Sequence, residues 1–221
     1  MEYKLSKKYE DQRFMDMIMG PNPVKLCEEL MVGSGFSAGS RIMDLGSGQG
    51  LTSAFLAKEY GLMVYACDLW SEPEEHIPFF QSMGLYDDVI RPVKADANDL
   101  KFPDEFFDGV VSVDSYNYFG RDRNYLDEKL LPFVKSGGEL RFAIPGMKKE
   151  CHEDLPPELL LSWTPEQLEY MHDVNWWQDM VRAARGCDVL QVREMESNEE
   201  VWADWLRQNN EYAVGDRASM D

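Results

Sequence analysis

The 221-residue sequence predicts an α/β protein with a doubly wound, mostly parallel sheet and helices on both faces. Strand and helix patterns alternate between residues 41 and 144, at the spacing of β–α–β units. Residues 109–114 are apolar almost throughout, as in a strand that is covered on both faces. A turn with three glycines, at 44–50, lies between a strand and a helix. We therefore expect one domain, 1–221, with N-terminal helices before the sheet and a lid insertion after strand five.

Residues 1–39 are predicted to form an N-terminal helical lid. Methionine and aromatic residues recur at helical spacing over 6–19, and the Gly-Pro-Asn-Pro segment at 20–23 ends that helix. A second helix is predicted over 23–32, with Asn22 as its N-cap and proline at its first position.

Residues 40–145 carry the sheet and are predicted to form the cofactor-binding core. Glycines at 61 and 84 and the pair 137–138 follow helical patterns and end them. The predicted strands cover 41–45, 63–68, 89–95, 109–114 and 139–144, and the predicted helices cover 51–60, 74–83 and 123–134.

The remaining sequence is predicted to contain a substrate-side insert and a C-terminal strand and helix. Residues 146–186 begin with an irregular, proline-rich stretch, and a capping box from Thr164 to Gln167 opens a helix that reaches about residue 185. Residues 187–221 are expected to hold strand six, at 187–195. A second capping box, Ser197 to Glu200, should open a helix over 199–209.

The composition narrows the possible partners. The net charge is −19, with no basic cluster to offset it, so we expect no binding to nucleic acid or to an anionic membrane. Four scattered cysteines form no C-x-x-C pair, and no metal site is predicted. No apolar stretch approaches the roughly 20 residues of a membrane span, and the N-terminus is too charged for a signal peptide. A soluble, cytoplasmic protein is expected.

The glycine turn carries the most specific signal. Its N–H groups open a helix and can hold a carboxylate or a phosphate. A nicotinamide-type G-x-G-x-x-G motif would need its third glycine at position 51, where Leu51 stands. The spacing here, with Asp44 two residues before the first glycine, is D-x-G-x-G-x-G. This pattern resembles motif I of the class I S-adenosylmethionine-dependent methyltransferases, and the resemblance extends over roughly residues 40–145.

The resemblance implies S-adenosylmethionine as cofactor and assigns residues to it. Asp68, at the end of strand two, would accept the ribose hydroxyls, and Leu69 would pack on adenine. Asp96 would bind the adenine amino group, with the Ala97 N–H nearby. The methionine portion would lie against the turn and Asp114, where the contacting residues are Asp44, Gly46, Ser47, Gly48 and Gly50.

Candidates for the methyl-transfer step follow strand four. Nucleophile, methyl carbon and sulfur must lie in line, and such alignment can lower a barrier by roughly 7–11 kcal/mol. Asp114 could contact the cofactor or the substrate, and Tyr116 or Tyr118 could orient a nucleophile, although packing roles for both tyrosines stay open. His152, in the insert, could reach an active site, although a solvated loop histidine is the simpler interpretation, and His76 and His172 fall in predicted helices and are weaker candidates.

The function that this pattern favours is methyl transfer to a small-molecule acceptor, with mainly positional catalysis. A non-catalytic S-adenosylmethionine-binding or partner protein stays open, because no diagnostic catalytic signature follows strand four. A nicotinamide dehydrogenase is a weaker alternative, since the third glycine is missing. The family's sheet has a seventh, antiparallel strand, and the residues after 209 are too few and too polar for one. We therefore expect the sequence to stop before that strand.

Overall fold

The centre of the computed structural model, which describes residues 2–220, is a five-stranded parallel sheet. Its strand order is β3-β2-β1-β4-β5, so the chain reverses direction across the sheet between β1 and β4. The strands are β1 (Arg41–Leu45), β2 (Met63–Asp68), β3 (Ile90–Lys94), β4 (Phe107–Val113) and β5 (Val134–Ala143). This confirms the doubly wound parallel sheet.

Eight α-helices surround the sheet among the described residues. They are α1 (Gln12–Met15), α2 (Pro23–Leu30), α3 (Leu51–Tyr60), α4 (Pro73–Ser82), α5 (Pro165–Leu168), α6 (Val174–Val181), α7 (Asn198–Leu206) and α8 (Glu211–Met220). Shorter 3₁₀ helices cover Ser6–Tyr9, Tyr116–Tyr118, Leu131–Phe133 and Leu159–Leu161, and a π-helical turn covers Leu126–Leu130. No helix within residues 2–220 has the length and apolar character that crossing a bilayer requires.

Two apolar layers cover the sheet, one on each face. On one face, α2, α3 and α7 bury side chains such as Phe55 and Trp205 against Ile42 and Val64 of the sheet. On the other, Tyr65 and Phe107 lie with residues of the π-helical turn and of α6. Alternating faces of the same strands supply both layers, as expected of a sheet that is covered on both sides.

The predicted helix over 6–19 is wrong as one element. The chain forms a 3₁₀ turn at Ser6–Tyr9 and then α1, because Asp11 has an extended conformation between them (φ −60°, ψ 144°). The N–H groups of residues 4–6 all donate to the carboxylate of Glu28 on α2. The second predicted helix is confirmed as α2, and Asn22 accepts N–H bonds from Val24 and Lys25 as its N-cap.

Two other predicted helices are interrupted. The predicted helix over 123–134 is a π-helical turn and a 3₁₀ turn, and β5 already begins at Val134. Strand β5 therefore includes the glycines at 137–138, where the pairing with β4 shifts register. The capping box at Thr164 and Gln167 is confirmed, but its helix ends at Leu168. A new helix, α6, starts after Asp173, whose carboxylate accepts the Trp176 N–H.

The predicted strand six, 187–195, is wrong: this segment forms no strand, and the described sheet has five. Its ends, Cys187 and Met195, pack against the core, but its central apolar residue, Leu190, is 92% exposed. The segment is fixed by side-chain contacts instead, because Glu29 on α2 binds Arg193 and the N–H groups of Glu196 and Ser197. The Ser197 hydroxyl also donates to Glu29, so the second predicted capping box does not form.

The two ends of the chain meet on α2. The Lys25 ammonium is 5% exposed and pairs with Glu200 at 2.6 Å and Asp204 at 2.8 Å. Asn22 donates to the same Asp204 carboxylate at 2.9 Å. Helix α7 therefore rests on the N-terminal helices through a buried polar network. Helix α8, in the tail where no element was predicted, packs on α7 and on the 3₁₀ turn at Leu159–Leu161.

Candidate active site

The functional residues predicted from the sequence meet at the carboxyl edge of the sheet. The glycine turn follows β1, Asp68 is the last residue of β2, and Asp114 directly follows β4. Strand β1 pairs with both β2 and β4, so these three positions are neighbours beside the point where the strand order reverses. Ligands of open α/β sheets bind at this type of position.

The glycine turn is built by backbone geometry that only glycine adopts without strain. Gly46, Gly48 and Gly50 have φ of 80°, 52° and 83°. A β-carbon on Gly46 would lie 2.2 Å from the hydroxyl oxygen of Ser115, so this glycine is also required by packing. A β-carbon on Gly48 would have no neighbour within 4 Å. Gly48 therefore borders open space that a ligand can occupy.

Asp68 fixes the position of this turn. One oxygen accepts the Gly48 N–H at 2.9 Å, and the other accepts those of Trp70 and Ser71 at 2.9 and 3.1 Å. The residue is 9% exposed. An ionised carboxylate offers about four acceptor positions, so three internal bonds leave capacity for a ligand hydroxyl. Through these bonds Asp68 joins the end of β2 to the turn after β1.

Asp44 lies beneath the turn and is fully buried. Its Oδ2 accepts the hydroxyls of Thr52 and Ser53, on the first turn of α3, at 2.6 Å each. Its Oδ1 meets no hydrogen-bond donor among residues 2–220. Burial raises the pKa of Asp44 to about 6, against the smaller opposing effect of the two hydroxyls. This carboxylate therefore supports the turn and the start of α3 from below.

The residues assigned to adenine lie at the ends of the adjacent strands β2 and β3. Leu69 is 41% exposed, as a side chain that receives a ligand ring needs to be. The Asp96 carboxylate accepts the Asn98 N–H at 2.8 Å and is exposed. Ala97 is buried, and its carbonyl accepts the Tyr125 hydroxyl at 2.9 Å. These contacts fix the loop after β3 next to the end of β2.

Asp114 has a strained backbone and a half-buried carboxylate. Its φ is 57°, a left-handed conformation that is uncommon outside glycine, and its N–H donates to the Ala143 carbonyl at 2.8 Å. Burial raises the pKa of Asp114 to about 7, and the Asp216 carboxylate of α8 contributes a smaller repulsion. Gly20 approaches so closely that a β-carbon there would lie 2.3 Å from Asp114 Oδ2. The N-terminal segment therefore covers this carboxylate.

The two candidate tyrosines are placed differently. Tyr116 is 1% exposed, stacks on Phe142 with ring centroids 4.2 Å apart, and contacts Trp177 of α6. This position is that of a core packing residue, so we do not retain Tyr116 among the catalytic candidates. Tyr118 is 62% exposed, and its ring centroid lies 5.3 Å from that of Tyr170 in the insert. Tyr118 remains available to a substrate.

Several residues at the site were not predicted from the sequence. Ser115 packs against Gly46 and donates to the Leu45 carbonyl, and its position directly after Asp114 was a usable signal. His76 on α4 is 5% exposed, and its Nδ1 would lie 3.8 Å from a β-carbon on Gly50. Burial lowers the pKa of His76. Gly20 and Asp216 are distant in sequence from the sheet, and no local pattern indicated their approach.

His152 lies in the irregular insert, where the sequence places it, and packs beside a second histidine. The side chain of His152 is 19% exposed, and its ring centroid lies 4.7 Å from that of His172. His152 therefore lies in a loop as expected, but its ring is mostly shielded from solvent. His172 lies between α5 and α6 rather than inside one long helix, and it stacks on Trp176.

Comparison with known proteins agrees with this fold. Residues 43–142 match the family model described as "Methyltransferase domain". The sarcosine/dimethylglycine N-methyltransferase of Halorhodospira halochloris is 29% identical over 143 residues, which are 65% of this chain and 50% of that protein. The demethylmenaquinone methyltransferase of Clavibacter sepedonicus is 40% identical over 103 residues, which are 47% of this chain and 40% of that protein. The chain spans about half the length, or less, of these relatives.

A solved structure supports the same fold. Phosphoethanolamine N-methyltransferase 2 of Haemonchus contortus, in complex with S-adenosyl-L-methionine, superposes with a TM-score of 0.71 at 17% identity, over 95% of this chain and 50% of that one. The fold is therefore Rossmann-like, and residues 43–142, just under half of the chain, are similar to a methyltransferase domain.

Proposed function

We propose that this protein transfers a methyl group from S-adenosylmethionine to a small molecule, and that the acceptor atom is an amine nitrogen. The observation that carries the proposal is the arrangement of three groups at one edge of the sheet. The glycine turn is bonded to Asp68, and Asp114 lies across the strand-order reversal with a pKa of about 7. The glycine turn and Asp68 are suited to binding the methyl donor. Asp114 is suited to accepting a proton from the methyl acceptor.

The turn fits the methyl donor in shape and in polarity. Open space beside Gly48 admits a ligand against the backbone. Ser47 is buried, and its hydroxyl meets no partner among residues 2–220, so a ligand group can use it. Asp68 and Asp96 would receive the ribose and the adenine, with Leu69 and Ala97 beside them. Asp44 would act through the turn it supports, together with Gly46 and Gly50.

The bound donor supplies an electrophilic methyl carbon on its sulfonium. The protein must then align the acceptor and remove a proton that the acceptor loses. An amine arriving as an ammonium ion must be deprotonated before it can attack, and a carboxylate with a pKa near the working pH is suited to accept that proton. Asp114 has such a pKa, and Gly20 covers it. Tyr118 is placed to orient the acceptor by a hydrogen bond.

Charge favours a cationic acceptor. The Asp114 and Asp216 carboxylates are close enough to repel each other, and an ammonium group between them would relieve that repulsion. The net charge of −19 attracts a cation and repels a polyanion, which supports a small amine rather than a nucleic acid as substrate. The relative from Halorhodospira halochloris bears the name of an N-methyltransferase. The four free cysteines support a reducing compartment such as the cytoplasm.

The test is a comparison of acceptors with S-adenosylhomocysteine as the readout. Glycine, sarcosine and dimethylglycine would be compared with a naphthoquinol, which represents the demethylmenaquinone relative. We expect turnover with at least one amine and a methylated nitrogen in its product. Turnover with the quinol alone would contradict the amine assignment. Calorimetric binding of S-adenosylmethionine without turnover of any acceptor would favour the non-catalytic alternative.

A further inference from the structure

Two histidines and a glutamate form a cluster in the insert after β5. Glu150 and His152 lie in the irregular segment, and His172 lies between α5 and α6. One potential ligand atom from each residue lies within 4.8 Å of the other two. The side chains are 38%, 19% and 13% exposed, so the cluster is partly shielded from water.

The carboxylate of Glu150 faces one imidazole with each of its oxygens. Oε1 is in contact with Nδ1 of His152, and Oε2 lies 3.1 Å from Nδ1 of His172. On its other side, Nε2 of His152 lies 3.0 Å from the Leu168 carbonyl oxygen. A carbonyl oxygen only accepts hydrogen bonds, so Nε2 must carry the proton of a neutral His152. In the neutral ring the lone pair of Nδ1 then faces a carboxylate, an arrangement that a second proton or a metal ion shared by the two groups would stabilise.

The surroundings of the cluster match those of metal-binding histidines. Ligating imidazoles usually donate their second N–H to a carbonyl or carboxylate, and this bond fixes the tautomer. The Leu168 carbonyl does so for His152. His172 is held by stacking on Trp176, with ring centroids 3.6 Å apart, and by its carbonyl, which accepts the Met147 N–H at 3.2 Å. The imidazoles are therefore oriented before any ion arrives.

We propose that Glu150, His152 and His172 bind a divalent first-row transition metal ion, with Zn²⁺ as the reference ion. Two imidazole nitrogens and a carboxylate are the donors that such ions accept, and three protein ligands leave a position for water. The ion would join the irregular segment after β5 to the connection between α5 and α6. This site departs from the expected absence of a metal, and it does not depend on the proposed methyl transfer.

The test is direct metal binding by the full chain after treatment with a chelator. Co²⁺ is titrated with its visible absorption as readout, and Zn²⁺ by calorimetry and by displacement of Co²⁺. We expect one ion per chain. His152→Ala and His172→Ala should each weaken binding by at least the ~10–100-fold that loss of an outer contact costs, and Glu150→Gln should weaken it as well.

Two matched variants give the control. Glu153→Gln removes an exposed carboxylate of the same segment, and Cys151→Ser removes the nearest thiol. Both should bind Co²⁺ as the original chain does, and circular dichroism would establish that every variant is folded. Absence of Co²⁺ and Zn²⁺ binding to the original chain would overturn the proposal, because a proton would then be the cation in the cluster. Unchanged affinity in folded His152→Ala and His172→Ala would also overturn it, as would loss of binding in Cys151→Ser.

Discussion

The carboxylate of Asp68 accepts the backbone N–H of Gly48 at 2.9 Å, which ties the end of β2 to the turn after β1. The same turn is supported from below by a second, buried carboxylate, that of Asp44. The proposed ribose contact of Asp68 would therefore couple ligand binding to the shape of the turn, and mutations here should affect both.

Replacement of Asp68 by asparagine tests this coupling. The amide keeps one acceptor oxygen but loses the charge, so the Gly48 bond and the ribose bonds compete for fewer acceptors. We expect the binding free energy of S-adenosylmethionine to weaken by about 1–3 kcal/mol, measured by calorimetry. Asp99→Asn, an exposed acid in the loop after β3, is the control. Equal affinities in the folded Asp68→Asn variant and the original chain would contradict the assignment of Asp68.

Two glycines of the turn should respond differently to alanine. In Gly46→Ala the methyl group would collide with Ser115, so we expect a loss of unfolding free energy beyond the roughly 1–2 kcal/mol that a left-handed alanine costs. In Gly48→Ala only that backbone cost applies, because the added carbon has open space around it. The methyl group would however occupy ligand space, so cofactor affinity should fall. Urea unfolding measures the stability of the two variants, and calorimetry measures their cofactor affinity. A Gly48→Ala variant less stable than Gly46→Ala would contradict the packing role of Gly46.

The raised pKa of Asp114 leads us to expect a pH dependence of turnover. Its carboxylate accepts a proton only when ionised, so kcat should rise as the pH increases through about 7. Asp114→Asn should lower kcat by ~10²–10⁴-fold and remove that limb of the profile, with cofactor affinity less affected. Asp104→Asn, an exposed acid before β4, is the control. A limb near pH 7 that persists in Asp114→Asn would exclude Asp114 as the proton acceptor.

The raised pKa of Asp44 leads us to expect a pH dependence of the free energy of unfolding. Its pKa is about 6 in the folded protein against 3.8 ordinarily, so the folded state retains a proton that the unfolded chain releases first. The free energy of unfolding should therefore fall as the pH rises from about 4 to about 6, by about 3 kcal/mol from this residue. In Asp44→Asn this contribution should be absent, while that of Asp114 remains in both proteins. Urea unfolding at pH 4 and pH 7 measures the free energy of unfolding of the original chain and of Asp44→Asn. An equal change between the two pH values in both proteins would refute the prediction.

The sheet and the glycine turn could be predicted because their signals are local. Residues 41–68 contain both strand patterns and the turn chemistry, and the structure confirms them. The segment 187–195 shows the limit of this approach, since it was predicted as a strand but pairs with no strand and is bonded to Glu29 of α2 through Arg193. Gly20 and Asp216 approach Asp114 through tertiary packing of segments that are distant in sequence. Local sequence patterns therefore could not predict these contacts.

The buried Lys25 has a consequence for the order in which the protein forms during synthesis. Its partners, Glu200 and Asp204, are translated long after it, when the whole sheet has already been made. Until then the acidic side chain beside this ammonium group is that of Glu10, at 3.9 Å, so α2 gains less from docking before the two closer carboxylates arrive. During synthesis the sheet and its glycine turn would thus form first. Helix α2 would dock fully only later, once residues 200–204 have left the ribosome.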